Sequence, residues 1–365
     1  MPHLWVRAEQ RPHEERVGLT PEGARRLIDA GFRVSIERSR SRAIPIGSYA
    51  EAGCEIVQEN AWPDAPRDAF VFGLKELPDD GTPLHHRHIM FGHAYKGQPA
   101  GRRLLERFVA GGGTLYDLEY LLDESGRRIA AFGYWAGFAG AAVALKCWAA
   151  QQRGALCGAV RTWAGSRELT ESIRRELDAA GAGRPRAIVI GARGRVGSGA
   201  CDLLRALDVP TTAWDMAETA HGGPFPEVLA HELFINAILA TPGCPVFVNA
   251  DAPRADRRLS VIGDVACDPT SEFSPIKVYG HPTTWDRPAL RVHDEPPLDV
   301  MAIDNLPSLL PVESSVDFAG QLLPSLLCLD APQAGVWGRA KAIFDTHVAA
   351  LEAARHDPAT TGATP

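Results

Sequence analysis

Ionisable side chains gather just after four short apolar runs in the first third of the 365-residue chain. Run 69–74 is followed by Lys75 and Glu76, run 88–92 by His93, Lys96 and Gln98, and run 114–118 by Glu119. Run 4–8 leads into Glu9, Arg11, Glu14 and Arg16. A single lysine or histidine past a strand is ordinarily a solvated loop residue. Several strand ends delivering such groups to one rim ask for a chemical reason, because open α/β sheets bind ligands outside the carboxyl ends of their strands. Arg16 and Lys96 suit a substrate with several carboxylates, while Lys75 and His93 suit proton transfer. A free lysine, near 10.4, is too basic to accept a proton at neutral pH. Lys96 and Arg16 would lower Lys75, and Glu76 and Glu119 would pull it back up. His93 belongs to the residue type that titrates nearest neutrality and is suited to activating water.

A second constellation is Arg186-Ala-Ile-Val-Ile-Gly-Ala-Arg-Gly-Arg-Val-Gly-Ser-Gly-Ala200. A four-residue apolar run at 187–190 reads as a buried strand, and residues 200–207 have helical spacing. Between them Gly191, Gly194 and Gly197 form G-x-x-G-x-x-G, which occurs in dinucleotide folds and also in plain strand-to-helix turns. A strand turning tightly into a helix points amides and the positive helix end at one spot, where a pyrophosphate fits. The next strand, 211–215, ends on Asp215, about the distance expected for a ribose-binding acid. A carboxylate there repels a 2′-phosphate and so favours NAD over NADP, although Arg193 and Arg195 stand nearby. The alternative is a structural turn whose glycines serve helix–sheet packing.

These residues need a scaffold, and the chain supplies an alternating one. Strands are expected at 4–8, 33–37, 55–57, 69–74, 88–92 and 114–118, with helices at 21–31, 48–53 and 102–110. A second set of strands is expected at 187–190, 211–215, 233–236, 245–249 and 259–262. The pattern predicts two Rossmann-like, doubly wound parallel α/β sheets with an active-site cleft between them. The first domain would comprise residues 1–131 and 311–365, the chain returning through a helix at 336–355 to a frayed tail from His356. The second would be 132–310. The apolar run 129–145, part of a helical region expected over 129–152, reads as a buried helix rather than a membrane span, since it contains three glycines and is bounded by Arg127, Arg128 and Lys146. Stretches 132–137 and 306–310 would serve as hinges. Hydrophobic residues at 45% and charged ones at 23% describe a globular chain, and a net charge of −7 gives no reason to expect nucleic acid. The seven scattered cysteines have no metal-ligand spacing and read as reduced thiols, and the N-terminus lacks a signal-peptide core. A cytoplasmic location without a metal follows from that reading.

Several segments resemble one family. Arg7-Ala-Glu and Glu15-Arg-Val-Gly-Leu-Thr-Pro21 are similar to the opening of the alanine dehydrogenase, transhydrogenase and saccharopine dehydrogenase group. Gly73-Leu-Lys-Glu-Leu-Pro78, Phe91-Gly-His-Ala-Tyr-Lys96, Gly113-Thr-Leu-Tyr-Asp-Leu-Glu119 and Ile303-Asp-Asn-Leu-Pro-Ser-Leu-Leu-Pro311 narrow it, as do the stretch 127–141 and the glycine-rich turn. All resemble the NAD-dependent, L-lysine-forming saccharopine dehydrogenases, in order from about residue 4 to residue 350. The resemblance implies cleavage of saccharopine with NAD and water to lysine, 2-oxoglutarate and NADH. It implies that Lys75 takes the amine proton and that His93 assists water attack on the imine. It implies that Arg16 holds a substrate carboxylate, that Gln98 and Phe132 contact substrate, and that Glu76 and Glu119 adjust basicity; the strand-end reading adds Lys75 and Lys96 to the substrate contacts. It assigns NAD binding to Arg127, Gly194, Arg195, Asp215, Thr219, Val265, Asp268, Ile303, Asp304, Asn305 and Leu306, to which the glycine turn itself adds Gly191. The fungal disulfide positions match Val196 and Ala237, so that link is not expected, and segment 153–185 follows the family poorly. Two other readings stay open: an alanine dehydrogenase-like or other opine dehydrogenase, and a non-catalytic NAD-binding regulator. The chain would act on a small molecule, away from membranes, as a monomer or small homo-oligomer.

Overall fold

Short runs of apolar, β-branched and aromatic residues form the first sheet. In the computed structural model, which describes residues 1–356, the elements run β1 (His3–Val6), α1 (Pro21–Asp29), β2 (Arg33–Glu37), α2 (Ile46–Glu51), β3 (Glu55–Val57), β4 (Phe70–Phe72), β5 (Arg87–Met90), α3 (Pro99–Gly111) and β6 (Thr114–Asp117). Their order is β3-β2-β1-β4-β5-β6, and every pairing is parallel. Residues of β1 and β4 are buried throughout, as strands covered by helices on both faces must be. Helix α1 starts where Thr20 Oγ1 accepts from the Gly23 amide at 3.1 Å and Pro21 opens the first turn. Strand order reverses at β1, which has β2 on one side and β4 on the other, so the ligand crevice is expected at the carboxyl ends of β1 and β4.

The second unit, Phe132–Glu313, begins with α4 (Gly133–Gln152) and α5 (Ser166–Ala180), followed by β7 (Ala187–Ile190), α6 (Arg195–Ala206), β8 (Thr211–Trp214), α7 (Met216–Thr219), α8 (Pro226–Leu229), β9 (Leu233–Asn236), β10 (Val261–Asp264), β11 (Leu290–His293) and β12 (Leu298–Met301). Its sheet has the order β11-β12-β10-β9-β7-β8; only the edge strand β11 is antiparallel. Helix α4 is apolar all round and is the buried centre of this unit, packing on α5, α6 and β10. Glycine makes its crossing with α6 possible. A Cβ at Gly137 would stand 1.8 Å from the Val196 carbonyl oxygen, and one at Gly199 1.9 Å from that of Tyr134.

The chain then forms α9 (Pro311–Leu326) and α10 (Gly335–His356). The first unit comprises Met1–Ala131 and the chain from Ser314. Trp337 is fully buried there, edge-on to Tyr116 of β6, and its indole donates to the Ser325 carbonyl at 2.7 Å. The expectation for the tail beyond His356 lies outside the described residues.

Three points of the sequence reading need correction. Residues 245–249 form no strand. Pro245 has no amide to give a ladder, and the amides of Phe247 and Val248 both donate to the Pro275 carbonyl, leaving an isolated bridge between Val248 and Ile276. The strands β11 and β12 were not anticipated, because Asp294-Glu-Pro-Pro297 between them reads as loop. The helix expected from residue 129 starts at Gly133, because Ile129 instead donates its amide to Leu121 in a hairpin arm. Among the described residues no helix is long and apolar enough to cross a membrane.

Candidate active site

At the first sheet's reversal point, β4 runs into Gly73, Leu74 and Lys75. Glu9, just past β1, holds this strand end: its carboxylate accepts from the Leu74 amide at 2.6 Å and the Lys75 amide at 3.0 Å. Arg7, fully buried, donates to the Lys75 carbonyl and lies 3.5 Å from Glu9. The backbone that carries Lys75 is thus gripped by two charged groups just past β1. Arg16 is only 4% exposed, and its guanidinium is bidentate to Glu14, at 2.7 and 2.6 Å. Burial pushes the Glu14 carboxyl up, but the hydrogen bonds and charge of Arg16 outweigh it, so it titrates below its ordinary value; the Lys75 ammonium lowers it further. Lys75 therefore stands within electrostatic range of the Glu14–Arg16 pair.

The ends of β5 and β6 build the second group. His93 has a left-handed backbone, φ 48°, rare for a residue with a side chain and found where surroundings over-determine it. Its ring stacks on Phe91, centroids 6.4 Å apart, and its Nδ1 lies 3.3 Å from Glu119 Oε2. The other Glu119 oxygen accepts from Lys96 Nζ at 2.8 Å and Arg128 at 3.3 Å. The hydrogen bond with His93 is the largest cause that brings the Glu119 carboxyl down, burial opposes it, and Lys96 and Arg128 add to the fall; the result is about 2. Glu119 is thus an anion at any working pH. His93, Glu76 and Gln98 line one cavity of about 230 Å³ with Gly92, Leu104 and Arg107. Glu76 lies 3.6 Å from Arg11 at the surface.

In the second unit β7 turns into α6 through Gly191, φ 86°, and Gly194, the residue before the helix. A Cβ at Gly197 would fall 2.1 Å from the Gly191 carbonyl oxygen, so the turn closes only with glycine there. No side chain caps the start of α6, which leaves that helix end suited to an anion. Asp215 directly follows β8; its carboxylate accepts from the Arg193 amide and the Met216 amide, both at 2.9 Å. It also takes part in a capping box with Glu218 at the start of α7, and the four lone-pair sites of a carboxylate still leave room for a hydroxyl donor. A cavity of about 590 Å³ joins Gly191, Gly194, Asp215 and Thr219 to the apolar Met216 and Leu239, and the last two are among the most exposed large apolar side chains. Glycine turn, uncapped helix end, acid and apolar slot together fit a dinucleotide.

The structure thus joins His93, Lys96 and Glu119 by direct contacts and puts Glu76 and Gln98 in the same cavity. It joins Gly191, Gly194, Asp215 and Thr219 in another. Val265 and Asp268 follow β10, and Ile303, Asp304, Asn305 and Leu306 follow β12; none of the six lines that cavity. Ile303 and Leu306 are core side chains, and Asn305 accepts from the Trp285 indole at 2.9 Å. Arg127 is exposed in the hairpin turn of the first unit, Arg195 opens α6, and Phe132 precedes α4 in the second unit. Sequence reasoning gave no role to Glu9, Glu14 or Arg128. All three stood beside named residues, but which charge pairs with which is not written in their spacing. Among the described residues no group of three or more histidine, cysteine or acidic side chains could hold a metal.

The comparisons agree with this architecture. The alanine dehydrogenase/PNT N-terminal domain model matches residues 5–139. The L-alanine dehydrogenase structure superposes with a TM-score of 0.65 at 20% identity, covering 90% of each chain. The transhydrogenase of Sinorhizobium meliloti gives 0.60 at 17%, covering 90% of this chain and 94% of that one; at such identities the likeness concerns the fold. The NAD(+)-dependent, L-lysine-forming saccharopine dehydrogenase of Schizosaccharomyces pombe is 45% identical over 96% of this chain and 99% of its own. That of Yarrowia lipolytica is 46% identical over 94% and 97%. With near full-length identity of this size on a doubly wound two-unit frame, the chain belongs to the NAD(+)-dependent, L-lysine-forming saccharopine dehydrogenase family.

Proposed function

We propose that this chain oxidatively cleaves saccharopine with NAD and water to L-lysine and 2-oxoglutarate, reversibly, with Lys75 and His93 as the acid–base pair. NAD, when bound, accepts the hydride. The Gly191–Gly194 turn and the start of α6 would hold its pyrophosphate, and Asp215 its ribose hydroxyls, which selects NAD against NADP. On the first unit, Lys75 removes the proton from the substrate's secondary amine, since only the neutral amine can be oxidised. His93, with Nδ1 turned to Glu119, has its other nitrogen available to take a proton from the water that attacks the imine carbon. Collapse of the resulting carbinolamine releases the lysine amine and the keto acid, and a proton must return to the departing nitrogen. Lys96 and Arg16 supply positive charge for the substrate carboxylates, and Gln98 and Phe132 complete the substrate contacts. Glu76 and Glu119 adjust the pair's basicity.

The observation that carries the reading is the Glu119 carboxylate bonded at once to His93 and Lys96. It couples a proton-transfer group to a cationic binding group, as a polycarboxylate amine requires. The seven cysteines are free, which suits a cytoplasmic protein. Steady-state assays with saccharopine, alanine and other opines test the substrate. Turnover of alanine at the rate of saccharopine would replace this reading with the alanine dehydrogenase one, and no turnover of any of them would leave an NAD-binding protein.

A further inference from the structure

Beneath the His93 loop lies a carboxylate to which that reaction assigns nothing. Asp117, the last residue of β6, is 1% exposed. Its Oδ1 accepts from the Glu119 amide at 2.9 Å, and its Oδ2 has no hydrogen-bond partner. That second oxygen faces the residue before His93: a Cβ built on Gly92 would meet it at 3.2 Å and Leu115 at 2.7 Å. Burial pushes the Asp117 carboxyl up, while the nearby Glu119 and Gly92 amides and the His93 ring favour its charged form. Tyr95 offers no relief, because its buried hydroxyl is itself without a partner. A buried, half-satisfied carboxylate costs stability that an apolar residue of the same shape would not. Its one hydrogen bond caps the turn that carries Glu119 just past β6, while its other oxygen packs against Gly92, the residue before His93.

We propose that Asp117 is a positioning residue, which sets the His93–Glu119 contact from below by holding the Glu119 amide and packing against Gly92. The inference rests on the assignment of His93 to proton transfer. The left-handed backbone of His93 fits it, since a residue in a sparsely populated conformation needs rigid neighbours to stay there. Without Asp117 the Glu119 turn loses its anchor, the His93 Nδ1–Glu119 Oε2 contact lengthens, and the imidazolium loses its counter-charge. The other charged groups around His93 are Lys96 and Arg128, both beyond the Glu119 carboxylate, and Glu76, Asp79 and Arg107 in the walls of the cavity.

The test follows the His93 imidazole by NMR titration, with His93→Gln identifying its signal, alongside steady-state kinetics. In Asp117→Ala the His93 midpoint should fall by about half a pH unit or more, and kcat should fall about tenfold or more, with NAD affinity unchanged. Asp117→Asn keeps an oxygen for the Glu119 amide and should restore most of the turnover; it also serves if the alanine variant fails to fold. An Asp117→Ala protein with the wild-type His93 midpoint and kcat overturns the proposal and leaves the reaction assignment standing. So does an Asp117→Asn protein no more active than the alanine one. A moved midpoint in Asp117→Ala, together with wild-type turnover in His93→Gln, upholds the positioning role and removes histidine from the reaction.

Discussion

Lys75 stands where β4 opens onto the reversal point of its sheet, on a backbone clamped by Glu9 and Arg7. Lys75→Met should lower kcat with saccharopine by roughly 10²-fold or more, the scale of losing a general acid–base group, with a smaller change in KM. His93→Gln should lower it as well. On the proposed mechanism, in which both act in one reaction, the double variant should fall short of the product of the single effects. Near wild-type turnover in Lys75→Met would remove the mechanism. Glu119 gives a pH prediction of definite sign. Its folded value, about 2, lies below the ordinary glutamate value of about 4.3. Its contribution to stability is therefore complete above that ordinary value and is lost as pH falls through about 2. Glu119→Gln should flatten stability against pH in that window, read by urea denaturation at a series of pH values. An unchanged slope there would mean that the His93 and Lys96 contacts do not hold in solution.

At the level of elements, the nucleotide site depends on how closely α6 lies against α4. Gly199 and Gly137 permit backbone-to-backbone approach, and the start of α6 carries Gly194 at the site. Gly199→Ala puts a methyl group into the Tyr134 carbonyl, which costs about 1–3 kcal/mol as helices are pushed apart. It should also weaken NAD binding, because the shifted helix carries the phosphate end with it. Gly320→Ala, in α9 with no atom within 4 Å of the added Cβ, is the control; it should be neutral or gain up to about 1 kcal/mol of helix propensity. Chemical denaturation and NAD titration of both variants check this. Equal behaviour of the two would mean that the α4–α6 crossing is looser than it is drawn here.

For the molecule as a whole, the cofactor should act as a stabiliser. A ligand that binds only the folded chain adds about 2.7 kcal/mol at a concentration one hundred times its Kd. NAD should therefore raise the thermal midpoint in a concentration-dependent way, and NADP at the same concentrations should not if, as proposed, the Asp215 carboxylate faces the ribose and repels a 2′-phosphate. Asp215→Ala should lose most of the NAD effect. A midpoint raised more by NADP than by NAD would overturn the assignment of Asp215.

Periodicity and punctuation were enough to show two doubly wound sheets, the glycine turn with Asp215, and the strand ends that carry Lys75, His93 and Glu119. Each is a local signal: a short apolar run, glycines at fixed intervals, an ionisable residue just past a strand. Strands β2, β3, β7 and β9 were legible to the residue for that reason, whereas β11 and β12 hid behind charge and proline. Pairing among charges was decided only in three dimensions. Arg16, Lys96 and Arg128 are all cations near one rim, yet one is buried in a fork with Glu14 while the other two meet on Glu119. Glu9 and Asp117 read as ordinary acids in the sequence, and in the fold they hold the backbone amides of Lys75 and Glu119. Sequence spacing fixes which residues reach a strand end; burial and the unpaired amides waiting there decide which charge each one meets.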